Sequence, residues 1–128
     1  MKGIFVTGTD TGAGKTYVSA LVIQALRAEG VDAVGYKPIC CGGREDAYTL
    51  LSASDDRLEL DEVNPCYLRT AAAPYVAAMF ENTELELEPL IQGYHQLAAK
   101  HEVVIVEGVG GWKVPRLKDY MVADCAKE

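Results

Sequence analysis

The sequence has no excess of positive charge. It contains 12 Lys and Arg against 19 Asp and Glu, which gives a formal net charge of -7 and a pI near 4.8. Proteins that wrap nucleic acid or lie on anionic lipid need a basic surface. The composition therefore predicts neither nucleic acid nor membrane as a partner, and any anion that the chain binds must be held by a local site.

Long apolar runs and paired cysteines are also absent. No segment approaches membrane-spanning length, and the opening MKGIFV leads into a Gly-Thr-Asp turn without the features of a secretory signal. These absences predict a cytoplasmic protein. No CxxC pair or zinc-ligand spacing is found, so we expect reduced thiols at all four cysteines. They are Cys40, Cys41, Cys66 and Cys125.

Hydrophobic periodicity predicts one α/β domain over residues 1–128, with a parallel sheet and flanking helices. The opening strand, helix and second strand form a βαβ unit, which implies parallel strands. Residues 58–69 contain Pro65 and are expected to be irregular. Strands are predicted at 3–7, 31–37 and 103–108, and helices from Thr16, from near Asp46, around Pro74, at 87–99 and at about 119–127. The predicted apolar face of the first helix comprises Val18, Leu21, Val22, Ala25 and Leu26.

The predicted sheet lacks one strand. In open α/β sheets of this kind the first strand lies inside the sheet, yet no strand follows residues 103–108 to pair with its other side. Soluble proteins normally cover such an apolar edge. We therefore expect the chain to be the N-terminal part of a longer fold, or a partner to supply the missing layer.

The segment VTGTDTGAGKT, residues 6–16, has the character of a phosphate-binding loop with a displaced first glycine. Five residues separate Gly8 from Gly14, where the standard pattern has four. A glycine-rich turn between a strand and a helix directs backbone N–H groups at an anion. Lys15 is expected to reach the β- and γ-phosphates, and the Thr16 hydroxyl to bind magnesium. The alternative is a plain turn with a helix N-cap.

Three charged residues lie at or near the same predicted edge of the sheet. Glu107 ends an aliphatic strand and precedes a glycine loop, a position at which carboxylates commonly bind magnesium; the less favoured alternative is a solvent-facing Glu at the end of a strand. Lys37 ends the second strand and is directed at a γ-phosphate or an anionic substrate, or is simply solvated. Asp46 suits a helix N-cap as well as a metal site.

Together these motifs resemble dethiobiotin synthetase. The segments GTDTGAGKT, YKPICCGG, the Asp of REDA, NPCYLRTAAAPYVAA and VVIVEGVGGWKVP occur in that family's order and spacing over nearly the whole chain. The resemblance implies a P-loop NTPase-like ligase of biotin synthesis that uses ATP and Mg²⁺. Its substrates would be 7,8-diaminononanoate and CO2, and its products would be dethiobiotin, ADP and phosphate. The resemblance also implies a homodimer whose subunits contact each other around Pro74 and Tyr75.

The resemblance also assigns roles to individual residues. Lys37 becomes the active-site residue, and Lys15 and Thr11 join it around the substrate carbamate. Cys41 becomes a substrate contact, with a thiol where the family usually has the hydroxyl of Ser. The magnesium ligands become Thr16, Asp46 and Glu107. The nucleotide site comprises Gly12, Ala13, Gly14, Lys15, Thr16, Tyr17, Asp46, Glu107, Gly108, Val109 and Gly110.

Three other functions are compatible with a loop of this kind. A partner-switching ATPase would carry an extra lysine at the position of Asp10, and this chain does not. An amidotransferase synthetase would need a glutaminase domain with a reactive cysteine, of which there is no sign. The third alternative is an inactive piece that binds phosphate or nucleotide without turnover.

Overall fold

The computed structural model describes residues 2–6, 14–54, 58–72 and 74–108, which form an α/β fold. The predicted class, a parallel sheet with flanking helices, is confirmed. The strands are β1 (Lys2–Val6), β2 (Ala33–Tyr36), β3 (Ile39–Cys41), β4 (Cys66–Leu68) and β5 (Val103–Glu107). The helices are α1 (Gly14–Ala28), α2 (Glu45–Ala53), α3 (Leu60–Val63), α4 (Pro74–Phe80) and α5 (Leu87–Lys100).

The main sheet has the strand order β1-β5-β2, and both pairings are parallel. The first two strands are therefore parallel, as the βαβ pattern predicts, but β5 lies between them. Its run of aliphatic residues suits a strand that is covered on both faces. Within the described residues β1 pairs with β5 alone, so the further strand on its other side stays a prediction.

Side chains alternate between the two faces of the main sheet and separate its core into two layers. Val104 and Val106 of β5 pack with α5, together with Val34 and Tyr36 of β2. Ile105 lies on the opposite face, in a cluster with residues of α1, α2 and α3. Helix α5 buries the residues that the 3.6-residue period indicates, namely Leu90, Ile91, Tyr94, Leu97 and Ala98.

One glycine allows α5 to approach the sheet closely. The Tyr36 hydroxyl donates a 2.6 Å hydrogen bond to the carbonyl of Leu90, and both groups are buried. A Cβ atom on Gly93 would lie 2.7 Å from that hydroxyl oxygen. Gly93 is therefore needed for steric reasons, because it leaves room for the tyrosine head group against the helix.

The predicted apolar face of α1 is confirmed in part, because Val22 and Leu26 pack against the buried cluster beneath this helix. The helix buries Thr16, Ser19, Ala20 and Ile23, whereas Val18 and Leu21 are about half exposed. The buried residues follow the i, i+3, i+4, i+7 spacing of one helix face, and most of them are small. The Ser19 hydroxyl donates to the carbonyl of Lys15 at 3.0 Å, so its burial leaves no polar group unpaired. Small residues on this face let α1 pack closely against the sheet.

The prediction that residues 58–69 are irregular is also wrong, because this segment contains α3 and β4. A reciprocal capping box between Glu59 and Glu62 stabilises the start of the one-turn helix. Strand β4 then pairs in parallel with β3 to form a separate two-stranded sheet. Short elements of this kind depend on a partner that is distant in sequence, which local periodicity does not reveal.

Three smaller observations bear on the sequence predictions. Cys40, Cys41 and Cys66 are free thiols, as predicted. Over the described ranges, no helix is both long enough and apolar enough to cross a membrane. The predicted loop at residues 108–118, beyond its first residue, and the predicted helix near 119–127 lie outside the described residues.

Candidate functional site

Glu107 and Thr16 meet where β5 ends and α1 begins. Because side chains alternate along β5, Glu107 lies on the same face as Ile105, which is the face that α1 covers. The Thr16 hydroxyl donates a 2.6 Å hydrogen bond to Oε1 of Glu107. Both residues are buried, and Glu107 has no exposed surface. The predicted pair of magnesium ligands is thus brought together by strand register and by the first turn of α1.

Lys37 reaches the same carboxylate from the neighbouring strand. It follows β2 directly and lies on the face of Gly35, whose added Cβ would contact Ile23 of α1 and Leu50 of α2. Its Nζ donates to Oε1 of Glu107 at 3.1 Å and to Oδ2 of Asp46 at 3.3 Å. The ammonium group is therefore placed between two carboxylates.

Asp46 enters the site from the first turn of α2. Acidic side chains are favourable there because the helix macrodipole is positive at its N-terminus. The Asp46 side chain is 36% exposed, in contrast to the fully buried side chain of Glu107. Asp46 thus forms the open side of the group, where a ligand from solvent has access.

The charges in the site change the acidity of Lys37. Burial acts to lower the pKa of this ammonium group, but the negative charges of Glu107 and Asp46 outweigh burial and raise the pKa above its ordinary value. Lys37 is therefore protonated at neutral pH. It serves as a positive charge and not as a base.

Lys15 is the second residue of α1, and its Nζ donates to the carbonyl of Gly108 at 2.8 Å. Burial and the positive charge of Lys37 lower the pKa of Lys15, and the two carboxylates offset this in part. Lys15 thus bridges the start of α1 and the residue that follows β5. These are the two segments that the sequence assigns to the nucleotide.

Gly14 and Tyr17 also belong to the first turn of α1, and the Tyr17 side chain is 65% exposed. The first four N–H groups of an α-helix have no partner within the helix, and such groups commonly bind anions. The five remaining site predictions lie outside the described residues. They are Thr11, Gly12, Ala13, Val109 and Gly110.

The oxygen atoms of this group fit a magnesium ion. Oε1 of Glu107 accepts from Thr16 and Lys37, whereas the buried Oε2 has no hydrogen-bond partner among the residues that the structure describes. No group of three His, Cys, Asp or Glu side chains suited to a metal occurs in the part of the chain that the structure describes. Two carboxylates and a hydroxyl agree with magnesium nonetheless, because this ion usually retains water and is completed by substrate phosphates.

The adjacent cysteines lie on opposite sides of β3. Cys41 is partly buried and packs against the apolar cluster of Leu68, Ala77 and Ala78, below α4. Cys40 is 2% exposed, and burial raises its pKa to about 11 despite the nearby charge of Lys37. Neither thiol is activated as a nucleophile. The substrate contact assigned to Cys41 stays a prediction.

A family model described as an AAA domain matches residues 2–128. The chain belongs to this AAA domain family. The match extends over both segments that Lys15 bridges.

Individual proteins similar to this chain carry names that are more specific than the AAA domain family. The chain is similar to proteins named ATP-dependent dethiobiotin synthetase BioD, with 52% identity over 115 residues in Akkermansia muciniphila. Identity is 44% over 123 residues in Xylella fastidiosa and 42% over 129 residues in Methanocaldococcus jannaschii. The matches cover 90%, 90% and 97% of this chain and 54%, 54% and 60% of the relatives. The resemblance seen in the motifs is confirmed, and the chain spans about half the length of these relatives.

Sequence reasoning missed two residues of the AAA domain that support the site. Asn64 is fully buried and donates to the main-chain carbonyl of Lys37 at 2.8 Å. Arg44 precedes α2 and donates to the Asn64 side chain at 2.8 Å. An Asn before a Pro normally indicates a turn, and no local pattern reveals these long-range bonds.

Proposed function

We propose that this chain is the ATP- and Mg²⁺-binding domain of a dethiobiotin synthetase, a single nucleotide-binding domain over residues 1–128. The observation that carries the proposal is the meeting of Thr16, Asp46 and Glu107 with the Lys37 ammonium group at the carboxyl ends of parallel strands. Ligands of open α/β sheets bind at that edge. The names of the similar proteins supply the particular reaction.

In the proposed reaction, one amine of 7,8-diaminononanoate takes up CO2 and becomes a carbamate. A carbamate oxygen attacks the γ-phosphate of ATP, ADP leaves, and a mixed carbamic-phosphoric anhydride forms. The second amine then attacks the carbonyl carbon, the ring closes, and phosphate is released. Negative charge develops on the carbamate in the first step and approaches the negatively charged γ-phosphate in the second, so the protein must chiefly position and neutralise these charges.

Lys37 is suited to that task because it is a buried, protonated ammonium group. We assign it to the carbamate, together with Thr11. Lys15 and the first-turn N–H groups of α1, from Gly14 to Tyr17, are assigned to the ATP phosphates, bordered by Gly12, Ala13, Gly108, Val109 and Gly110. For Lys15 this requires that its ammonium group exchange the Gly108 carbonyl for a phosphate oxygen.

Thr16, Asp46 and Glu107 are the residues that would hold magnesium. When bound, the ion would neutralise charge on the phosphate oxygens of ATP. Oε2 of Glu107, which has no partner among the described residues, and the partly exposed Asp46 carboxylate would contribute oxygen atoms to that ion.

A homodimer is part of the proposal, and the exposed face of α4 supports it. Tyr75 and Val76 are about half exposed, and Met79 and Phe80 are 80% and 76% exposed. Apolar patches of this kind commonly form protein interfaces. Phe80→Glu is expected to convert a dimer to a monomer in light scattering, whereas the same change at the exposed Tyr48 of α2 leaves the mass unchanged. A wild-type monomer at high concentration would exclude this interface.

We place the protein in the cytoplasm, with small molecules as substrates and with neither nucleic acid nor membrane as a partner. The net charge of -7 supports this assignment, because both of those partners favour a basic surface.

Phosphate release from MgATP by the purified chain tests the function. The assay is run with and without diaminononanoate and bicarbonate, and dethiobiotin is detected by mass spectrometry. We expect release that requires both additions, together with formation of the product. A folded chain that binds MgATP but forms no dethiobiotin would favour the alternative, a nucleotide-binding piece without turnover.

Two substitutions test the individual roles. Lys37→Ala is expected to abolish turnover but to leave nucleotide affinity largely intact, while Lys100→Ala, at the exposed end of α5, leaves both unchanged. Equal losses of turnover and of nucleotide affinity in Lys37→Ala would contradict the carbamate role.

Cys41→Ser is expected to be tolerated or mildly beneficial. Complete inactivity of this variant would contradict the prediction that the Cys41 thiol only takes the place of a serine hydroxyl.

A further inference from the structure

Lys37 lies just beyond the regular part of the sheet. The last residue pair between β2 and β5 is Tyr36 with Val106, so the strand ladder ends one residue before the ammonium-bearing residue. The Lys37 backbone is held instead by the corner between α3 and β4. Its N–H donates to the Val63 carbonyl at 2.8 Å, and its carbonyl accepts from Nδ2 of Asn64, also at 2.8 Å.

Asn64 uses both ends of its side-chain amide in this corner. Besides Lys37, Nδ2 donates to the carbonyl of Cys66 at 3.1 Å, and Oδ1 accepts from Nε of Arg44 at 2.8 Å. The residue has no exposed surface. A buried amide with both donors and its acceptor engaged tolerates little displacement, because each lost bond would leave a desolvated polar group.

Arg44 connects the same corner to α2. One terminal nitrogen of Arg44 donates to the main-chain carbonyl of Asn64 at 2.9 Å and to the Asp61 carboxylate at 2.8 Å. Its guanidinium carbon lies 5.2 Å from the centre of the Tyr67 ring, a cation–π distance. Arg44 immediately precedes Glu45, the first residue of α2, and its carbonyl accepts from the N–H of Tyr48. The position of Arg44 therefore determines where α2 starts.

We propose that Asn64 is a positioning residue that holds the Lys37 main chain and, through Arg44, the start of the helix that carries Asp46. The two charged side chains that meet at 3.3 Å come from segments that both bond to this one amide. Asn64 bonds to the main chain of Lys37 and not to its ammonium group. It sets the separation of the two side chains through their main chains, and the inference rests on the proposed function because it takes Asp46 as a ligand of the MgATP site.

The test compares MgATP binding with metal-free ATP binding by titration calorimetry on the full chain. The ratio of the dissociation constant in EDTA to that in Mg²⁺ reports the metal-dependent part of nucleotide affinity, to which Asp46 contributes. Asn64→Leu keeps the approximate shape but removes all three side-chain bonds. We expect it to lower the ratio about tenfold, the effect of roughly one charge-assisted hydrogen bond.

Ser54→Ala is the matched control. Ser54 is also buried, and its hydroxyl accepts from the Gly35 N–H and donates to the Leu50 carbonyl, at the far end of α2. The control variant is expected to unfold at a lower temperature but to keep the ratio within twofold. A purely structural role for Asn64 would give Asn64→Leu the behaviour of this control, and that result would overturn the inference.

Arg44→Met provides a second route if Asn64→Leu does not fold, because the Arg44 side chain is partly exposed. We expect it to lower the ratio by a similar factor, and Arg44→Lys not to restore it, since an ammonium group does not reproduce the fork of donors. In an Asp46→Ala background neither change should lower the ratio further. An unchanged ratio in Arg44→Met, or a further loss in that background, would contradict the proposal.

A wild-type chain that binds no nucleotide would instead refute the proposed function and remove the site on which the inference depends.

Discussion

Thr16 and Glu107 are 91 positions apart in the sequence, yet the threonine hydroxyl donates a 2.6 Å hydrogen bond to the glutamate carboxylate. The same oxygen accepts from Lys37, and the other carboxylate oxygen has no partner in the described part of the chain. One carboxylate oxygen of the buried Glu107 accepts two hydrogen bonds and the other accepts none from the described residues, so the second oxygen can bind a cation. The carboxylate is also sensitive to the loss of either donor.

Thr16→Val removes the hydroxyl but preserves the branched shape of the side chain. We expect a loss of about 1–3 kcal/mol in the free energy of unfolding, because Glu107 stays buried with one hydrogen bond fewer. Chemical denaturation measures this change. Thr49→Val is the control, since the Thr49 hydroxyl donates to the Glu45 carbonyl on an exposed surface. Equal effects of the two substitutions would contradict the prediction.

Lys37→Met removes the cation beside Glu107. Breaking a buried ion pair leaves an uncompensated charge, so we expect destabilisation of about 3–5 kcal/mol. Lys37→Met combined with Glu107→Leu should recover most of that loss, because two apolar side chains have no charge to desolvate. Arg27→Met breaks a pair with Asp32 whose partners are about one third exposed, and it should cost about 0–1 kcal/mol. A double variant that is less stable than Lys37→Met alone would refute this account of the pair.

Gly93→Ala places a methyl group against the Tyr36 hydroxyl. We expect destabilisation of about 1–3 kcal/mol, as is usual for an overpacked interior, measured by thermal or chemical unfolding. Tyr36→Phe removes the hydroxyl, and the nearest ring carbon would then lie 3.4 Å from the new Cβ, an ordinary contact. The double variant should therefore be less unstable than the sum of the single changes. Strict additivity would show that the hydroxyl is not the obstacle.

Lys15 and Lys37 should differ in their reactivity toward acylating reagents. Burial and the neighbouring ammonium group lower the pKa of Lys15, whereas the two carboxylates raise that of Lys37. At pH 9 a larger fraction of Lys15 is thus the neutral, nucleophilic amine. Acetylation followed by peptide mass spectrometry should show Lys15 modified well before Lys37, with the exposed Lys100 as an internal reference. Earlier modification of Lys37 would contradict the electrostatic description of the site.

Elements with strong periodicity could be predicted from the sequence. The buried residues of α5 match the predicted set, and β5 was evident from its aliphatic run. Helix α1 was placed correctly, and Val22 and Leu26 of its predicted face do pack on the core. Its most buried face was not predicted, because that face includes Thr16 and Ser19, which count as polar in any hydrophobic pattern. Strand β4 and helix α3 were not predicted, because segments of three or four residues are too short to show a hydrophobic periodicity.

The residues of the candidate site were found from the sequence because each follows a strand or opens a helix at one edge of the sheet. Lys37, Asp46 and Glu107 do lie together. What the sequence did not reveal is how they are held. Asn64 and Arg44 act through bonds to the main chain and to each other, and such bonds depend on tertiary position rather than on residue type.

The alternation of side chains along β2 has an evolutionary consequence. Lys37 faces Glu107 because it lies an even number of positions along the chain from Gly35 and Ala33, which occupy the layer beneath α1 and α2. Insertion or deletion of one residue within this strand would turn the lysine toward α5 and bring an apolar residue beside the carboxylates. Homologous chains should therefore vary in length only outside this strand, for instance between Cys41 and Arg44, where a gained or lost residue leaves the parity of the strand unchanged.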